Sequence, residues 1–433
     1  MHETTLDINA QFKKALSKAE ANQNLFITGR AGTGKSTLLE YFCAHTEKKV
    51  VVLAPTGVAA LNVKGQTIHR FFNFYIDVTP QKIKDKKIKP KDPKLFKKLE
   101  TIIIDEVSMV RADLLDSVDV FLRLYGPVPG QPFGGVQMIF IGDLCQLPPV
   151  VMEGEAEVFT TYYESPYFFS APGFKELSID VIELEKIYRQ KDQTFVQLLN
   201  RIRDNSVEEE DILSLNSRFL PAFKPAEDHF YIHLTTTNKK ADEINHTHLE
   251  SLDGKMYQAK AAVKGDFGKE YYPTATALQF KVGSQIMLLN NDSKKRWVNG
   301  SMGVIEAAKK DEEGESYLQV RLQDNEKLVN VGRFEWEVYR FSFDGQALIS
   351  EAVGTFSQFP FRLAWAITIH KSQDKTFERV IVDIGSGTFA TGQVYVALSR
   401  CTSFEGIVLK TPIKKSHIRT DVRISNFLDQ QSV

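Results

Sequence analysis

The sequence predicts an α/β protein made of two tandem parallel-sheet lobes, each carrying a small insert. Three observations predict it. Apolar runs at 50–56, 101–108 and 136–143 alternate with helical patterns, as buried parallel strands do. A second set of such runs follows at 230–238, 363–368, 379–385 and 406–412. The chain has 433 residues, too many for one compact core.

The lobes are placed at 1–182 and at 183–250 joined to 352–433. Two stretches fit neither. Between Gln81 and Leu99, nine lysines face two aspartates, and Pro90 and Pro93 interrupt any helix. This marks an insert at about 70–98, either a solvated face or a basic flank for a partner. From 251 to 351 the pattern changes to short alternating strands with Gly turns, the signature of a small β-barrel.

The formal net charge is −1, so any surface that attracts nucleic acid must be local. Cys43, Cys145 and Cys401 lie too far apart for a disulfide framework or a metal-ligand spacing, which suits a reducing compartment. No apolar run reaches the ~20 residues of a membrane span. The N-terminal stretch carries Glu3 and Asp7, and no arginine precedes Arg30, so neither a secretory nor a transit segment is expected.

The first chemical motif is "LFITGRAGTGKSTLLEYF", a strand, a glycine-rich loop and a helix. Gly29, four residues, then Gly34, Lys35 and Ser36 form a phosphate loop. Its backbone N–H groups close around phosphates, Lys35 neutralises the β and γ groups, and the Ser36 hydroxyl ligates Mg²⁺. The expected nucleotide contacts are Gly29, Ala31, Gly32, Thr33, Gly34, Lys35, Ser36 and Thr37. "IIIDEVS" ends a strand in two acids. Asp105 is suited to hold Mg²⁺, and Glu106 to orient and deprotonate an attacking water. "FIGDLCQLPPV" places Gln146 beside them as a γ-phosphate sensor. Arg189 and Arg400 lie beyond the first lobe, and each is either a surface ion pair or a transition-state cation worth ~10³–10⁵ in rate. If the second lobe supplies them, hydrolysis requires the lobes to close.

The polar patch in "LAWAITIHKSQDKTFERVIVDIG" (Thr368, His370, Lys371, Ser372, Gln373, Asp374) interrupts two apolar runs. A buried element has no need of it.

Together, "FITGRAGTGKS", "LAPTGVAALNVKGQTIHRFF", "IIIDEVSMV", "GDLCQLPPV", "LEKIYRQKDQTFVQLLNRIR", "LTTTNKKADEIN", "AWAITIHKSQDKTFERVIVDI" and "VYVALSRCTSFEGIVL" resemble, in order, the motifs of the Pif-type DNA helicases. These are superfamily-one, RecD-related motors. The resemblance covers nearly the whole chain. It implies two RecA-like lobes with ATP and Mg²⁺ between them, single-stranded DNA across their top, and 5′-to-3′ translocation. It implies an adenine-reading glutamine near the N-terminus, best matched by Gln11, although the local spacing departs from the usual pattern. It places Thr56, Gly57, His69 and Phe72 of the first lobe on the DNA path. From the second lobe it adds Thr235, Thr236, Asn238, Thr368, His370, Lys371 and Ser372. Trp365 is read as core. It also implies that the 70–98 insert is a wedge beside single-strand/double-strand junctions, and that 251–351 is SH3-like. Roles in DNA repair, recombination and telomere maintenance, a monomer in solution and a bacterial cytoplasmic location near the nucleoid are further expectations. Preference among forks, G-quadruplexes and RNA–DNA hybrids stays open. Two competing readings remain: a P-loop ATPase or kinase acting on a substrate other than nucleic acid, and a nucleic-acid-binding protein with a vestigial loop.

Overall fold

The computed structural model describes residues 8–75, 77–151, 156–190, 192–226, 230–343, 348–385, 387 and 390–431. Glu3 and Asp7, which bear on the expected absence of a leader, lie outside them.

The first sheet is six-stranded and wholly parallel. Its order is Gln66–Thr67, Val50–Ala54, Thr101–Ile104, Gln137–Ile141, Asn24–Gly29, Ile179–Leu184. Every residue of Thr101–Ile104 and Gln137–Ile141 is buried, which is why those runs carry no polar alternation. The sixth strand pairs along the whole phosphate-loop strand, from Asn24 with Ile179 to Gly29 with Leu184. A lobe boundary at 182 therefore cuts a strand, and the first lobe extends past Leu184. Half-exposed positions in that strand, Ile179, Asp180, Val181 and Glu183, hid it from an apolar-run reading.

The second sheet is parallel in the order Ala366–Thr368, Ile232–Thr235, Val380–Asp383, Ile407–Leu409. The run 363–368 is not one strand. Phe361–Leu363 pairs antiparallel with Gln285–Leu288 of the insert, whereas Ala366–Thr368 pairs parallel with Ile232–Thr235. Trp365 lies at this crossing. It is half-buried and stacked on His248 at 5.4 Å, so the core assignment does not hold.

The insert contains a five-stranded antiparallel sheet, a three-stranded sheet (Phe334–Phe343, Leu348–Gln358, Ala262–Gly265) and a two-stranded ribbon. It has its own apolar cluster, including Phe280, Ile286, Trp297, Ile305, Val320 and Phe361. Its boundary at 351 falls inside the strand Leu348–Gln358, and its antiparallel pairing runs on to Leu363.

In the lysine-rich segment, short helices Pro80–Lys84 and Pro93–Lys97 start with Thr79 and Asp92 as N-caps and proline in the first turn. Pro93 thus begins a helix. Ile83, Ile88, Leu95, Phe96 and Leu99 are buried, while every lysine of the run except Lys82 is exposed. The charges form a solvated face over an apolar stripe. No helix among the described residues is long and apolar enough to cross a membrane.

Candidate nucleotide cleft and nucleic-acid groove

The loop after Asn24–Gly29 turns into the helix Lys35–His45, so first-turn N–H groups face the loop's interior. Gly32 (φ 81°) is required twice over: its backbone is left-handed, and a Cβ there would lie 2.6 Å from Arg189 Cβ. Lys35 Nζ donates to Gly29 O at 2.7 Å and Arg30 O at 3.1 Å, and Thr33 Oγ1 donates to Arg30 O at 2.9 Å. Ala31 N–H donates to Tyr395 of the second lobe at 3.1 Å. Ser36 and Thr37 open the helix beside them. Gln11 lies apart on the preceding helix, Ala10–Glu20, donating to Glu185 Oε2 at 3.0 Å.

Asp105 and Glu106 follow Thr101–Ile104, and Glu106 is left-handed (φ 51°). Burial, then the nearby Asp374 carboxyl, pushes Asp105 up to about 7. The same two causes, with Asp105 added, push Glu106 well above the carboxylate range. Burial holds the Lys35 ammonium below its ordinary value, against the pull of Asp143 and Glu106. Gln146 is buried, donates to Asp143 Oδ2 at 3.2 Å and accepts from Gln373 Nε2 at 3.4 Å.

The two arginines come from different places. Tyr188 N–H donates to Gly32 O at 2.9 Å, so Arg189 is docked on the phosphate loop itself. Its guanidinium reaches Ser399 O at 3.2 Å, and burial and Arg400 lower it to about 9. Arg189 therefore sits at the junction and is not delivered by the second sheet. Arg400 is, from the end of the helix Gln393–Ser399. It is fully buried and donates to Val396 O at 3.1 Å and Ser399 Oγ at 3.0 Å.

Two residues of the cleft, Tyr395 and Arg203, escaped the sequence reading, and a third, Asp374, was singled out only as part of the polar patch. Tyr395 bridges Ala31 and, at 3.4 Å, Asp143 Oδ2. A buried phenol needs partners, which was the available signal. Arg203 is buried 3.6 Å from Asp143 Oδ1, and although burial disfavours its charge, Asp143 and its neighbours hold it firmly protonated. Its signal was a charge on the apolar stripe of Phe195 and Leu199, four residues apart. Asp374, from the second lobe, lines the same groove as Glu106, and its carboxyl helps to raise the Glu106 pKa.

The lobes touch closely. A Cβ on Gly392 (φ 74°) would lie 2.2 Å from Gln146 O. Gly392→Ala is expected to hold the lobes apart. Turnover should fall on the order of 100-fold, the cost of an ångström-scale misplacement, with nucleotide affinity much less affected. Phosphate-release kinetics and fluorescent-nucleotide titration check this.

A groove of about 710 Å³ crosses both lobes and the insert. Thr56, Thr368, His370 and Lys371 of the expected DNA residues line it, joined by Trp336, Tyr272, Arg362 and Lys375. Burial and Arg362 lower Lys375 to about 8 and depress Lys371, and the lining mixes these cations with the acids Glu106, Asp242 and Asp374. Other expected contacts are turned inward. Phe72 is fully buried against Phe71, Phe74, Phe96 and Phe121 and offers no face to a base. Thr235 is buried beneath Thr368, its strand partner, and Ser372 Oγ is spent on Ile369 O at 2.7 Å. Gly57 is buried against Glu270 of the insert. His69 is half-buried, and burial lowers its pKa. Thr236 and the exposed Asn238 stand where the strand Ile232–Thr235 gives way to the helix Asn238–Ser251. The insert is clasped to the first lobe by Arg70–Asp266 at 2.8 Å and by Thr67 Oγ1–Tyr271 OH at 3.0 Å.

A phosphate loop and acid pair on one parallel sheet, a buried arginine from a second, and a groove over both that carries Arg362, Lys371 and Lys375 define a nucleotide-driven motor of the helicase class. Comparisons with known proteins give the finer placement. Residues 7–212 match the model of the PIF1-like helicases. The ATP-dependent DNA helicase PIF1 of Homo sapiens is 33% identical over 94% of this chain, which spans 61% of that protein. The Pif1 of Campylobacter jejuni is 30% identical over 90% of this chain and 89% of its own length. The crystal structure of Bacteroides sp Pif1 with ADP-AlF4 superimposes with a TM-score of 0.91, at 34% identity over 99% of this chain and 98% of that one. For Bacteroides Pif1 bound to ssDNA the TM-score is 0.69. The chain belongs to the PIF1-like helicase family.

Proposed function

We propose that this chain is an ATP-dependent DNA helicase that steps 5′ to 3′ along single-stranded DNA and opens duplex at single-strand/double-strand junctions. The observation that carries the coupling is one turn, residues 368–375. It presents His370 and Lys371 to the groove, and Gln373 to Gln146 in the nucleotide cleft. A backbone contact in the groove and the state of the cleft are thus joined by a rigid link of a few residues.

Each side chain has a task the geometry suits. Lys35 and the loop N–H groups hold terminal phosphates, Glu106 takes a proton from the attacking water, Gln146 positions that water, and Arg189 and Arg400 meet charge developing on the transferred group. Ser36 and Asp105 are hard oxygen donors side by side with the loop, a set that fits Mg²⁺, which would neutralise phosphate charge there. Gln11, on the helix whose next residue, Phe12, lies beside Gly34 of the loop, reads the adenine. Hydroxyl, imidazole, ammonium and guanidinium groups in the groove suit sequence-blind phosphate contacts, and Trp336 and Tyr272 suit stacking. Opening a base pair costs ~1.4 kcal/mol per stacking step, well within one hydrolysis event. The exposed lysine face at 82–98 flanks the junction as a wedge, and the insert walls the channel. We place the enzyme, a monomer free in solution, in the bacterial cytoplasm.

Unwinding of 5′-tailed and 3′-tailed duplexes side by side tests the reading. Only the 5′-tailed substrate should open, and added single strands should stimulate ATP hydrolysis. A hydrolysis rate indifferent to DNA would instead favour an ATPase or kinase with another substrate.

A further inference from the structure

Tyr188, Arg189 and Gln190 cross the junction between the lobes in succession, and each makes a different attachment. Tyr188 N–H donates to Gly32 O of the phosphate loop at 2.9 Å. Arg189 Nη1 donates to Ser399 O at 3.2 Å. Gln190 is buried, and its Nε2 donates to Ser399 O and to Cys401 O, both at 3.0 Å. Those carbonyls flank Arg400 in the chain, at the end of the helix Gln393–Ser399. Carbonyls in the last turn of a helix have no partner within it, and a glutamine amide carries two N–H donors on one nitrogen. A single side chain thus fixes the backbone immediately before and after Arg400. Ser399 also accepts the Arg400 guanidinium on its Oγ at 3.0 Å, so both arginines meet at this residue. The segment 188–190 therefore leads without a break from the phosphate loop to the backbone that carries Arg400.

We propose that Gln190 is a positioning residue for phosphoryl transfer: its amide holds the Arg400 backbone in register with the phosphate loop, so that Arg189 and Arg400 reach the transferred group together. The segment that docks on the loop, and not the second sheet alone, then sets where Arg400 stands when the lobes close. The proposal rests on the helicase reading above and adds to that site a residue that acts through Arg400.

Single-turnover phosphate release, with excess enzyme and an oligothymidine strand, tests it on wild type, Gln190→Met, Arg400→Ala and the double variant, all below the lowest melting temperature of the set. Methionine fills a similar volume and has no N–H to donate. Gln190→Met should slow release about 100-fold, the cost of an ångström-scale misplacement, while affinity for a fluorescent nucleotide stays within about threefold of wild type. In the Arg400→Ala background the same substitution should cost less than about threefold, because the group it positions is gone. Gln190→Asn keeps the amide on a stem one methylene shorter and should lose less than Gln190→Met. It carries the same cycle if thermal melting shows the methionine variant misfolded. Equal losses in the two backgrounds, an unchanged rate in Gln190→Met, or misfolding of both Gln190 variants overturns the proposal and leaves Gln190 a helix cap. Normal release by Arg400→Ala would instead overturn the assignment of that arginine, and absence of DNA stimulation in wild type would overturn the helicase reading.

Discussion

Arg189→Ala is expected to lower DNA-stimulated ATP turnover by ~10³-fold or more, the range for an arginine acting on a transferred phosphoryl group. Nucleotide affinity should change only severalfold. The structure separates these two effects. The backbone at this position is fixed by Tyr188 N–H on Gly32 O, which the substitution leaves intact. Its guanidinium reaches across the junction to Ser399 O at 3.2 Å. Burial and the adjacent Arg400 already depress its charge, so an anion arriving between the two arginines relieves a repulsion. That relief is largest for the most highly charged species on the reaction path. Arg400→Ala should show a similar loss of turnover but also melt earlier, since Arg400 is fully buried and tied to Val396, Ser399 and Ser372. Single-turnover phosphate release, nucleotide titration and thermal melting distinguish the roles. Equal losses of binding and turnover in Arg189→Ala would remove it from the transition state.

Glu106→Gln should keep nucleotide and DNA binding and lose turnover by ~10²–10⁴-fold, the contribution of a general base. The exchange is isosteric, and glutamine retains a hydrogen bond toward Asp374. Stability should move the other way. Burial, Asp374 and Asp105 raise the folded-state pKa of Glu106 well above its ordinary value, so the native state binds this proton more tightly than the unfolded chain. Native stability at this residue is therefore full at low pH and is lost as pH rises through the folded pKa. Glutamine has no proton to lose. The variant's stability relative to wild type should increase between pH 5 and pH 8, read by denaturant unfolding at each pH. Normal hydrolysis by the variant would assign the base elsewhere.

The nucleotide half of the cleft was legible because its chemistry is local. Gly29 to Ser36 are contiguous, and Asp105, Glu106 and Gln146 each sit at the end of an apolar strand, so strand order alone brings them together. The DNA residues were less legible. A motif marks a segment, not the direction of each side chain, and Phe72, Thr235 and Ser372 lie in motif segments but face the core. Lobe boundaries failed where pairing overruled hydropathy: Ile179–Leu184 carries half-exposed positions yet completes the first sheet, and 348–363 belongs to the insert's ladders.

By itself the sequence determined two parallel sheets, a phosphate loop with its acids, and membership in a class of motors, because glycine conformation, charge and apolar runs act over a few residues. Only the tertiary structure decided which arginine each lobe contributes, that Arg203 backs Asp143, and that Asp374 faces Glu106. Those pairs lie 60 to 268 residues apart in the chain, and the force between two charges depends on their separation in space.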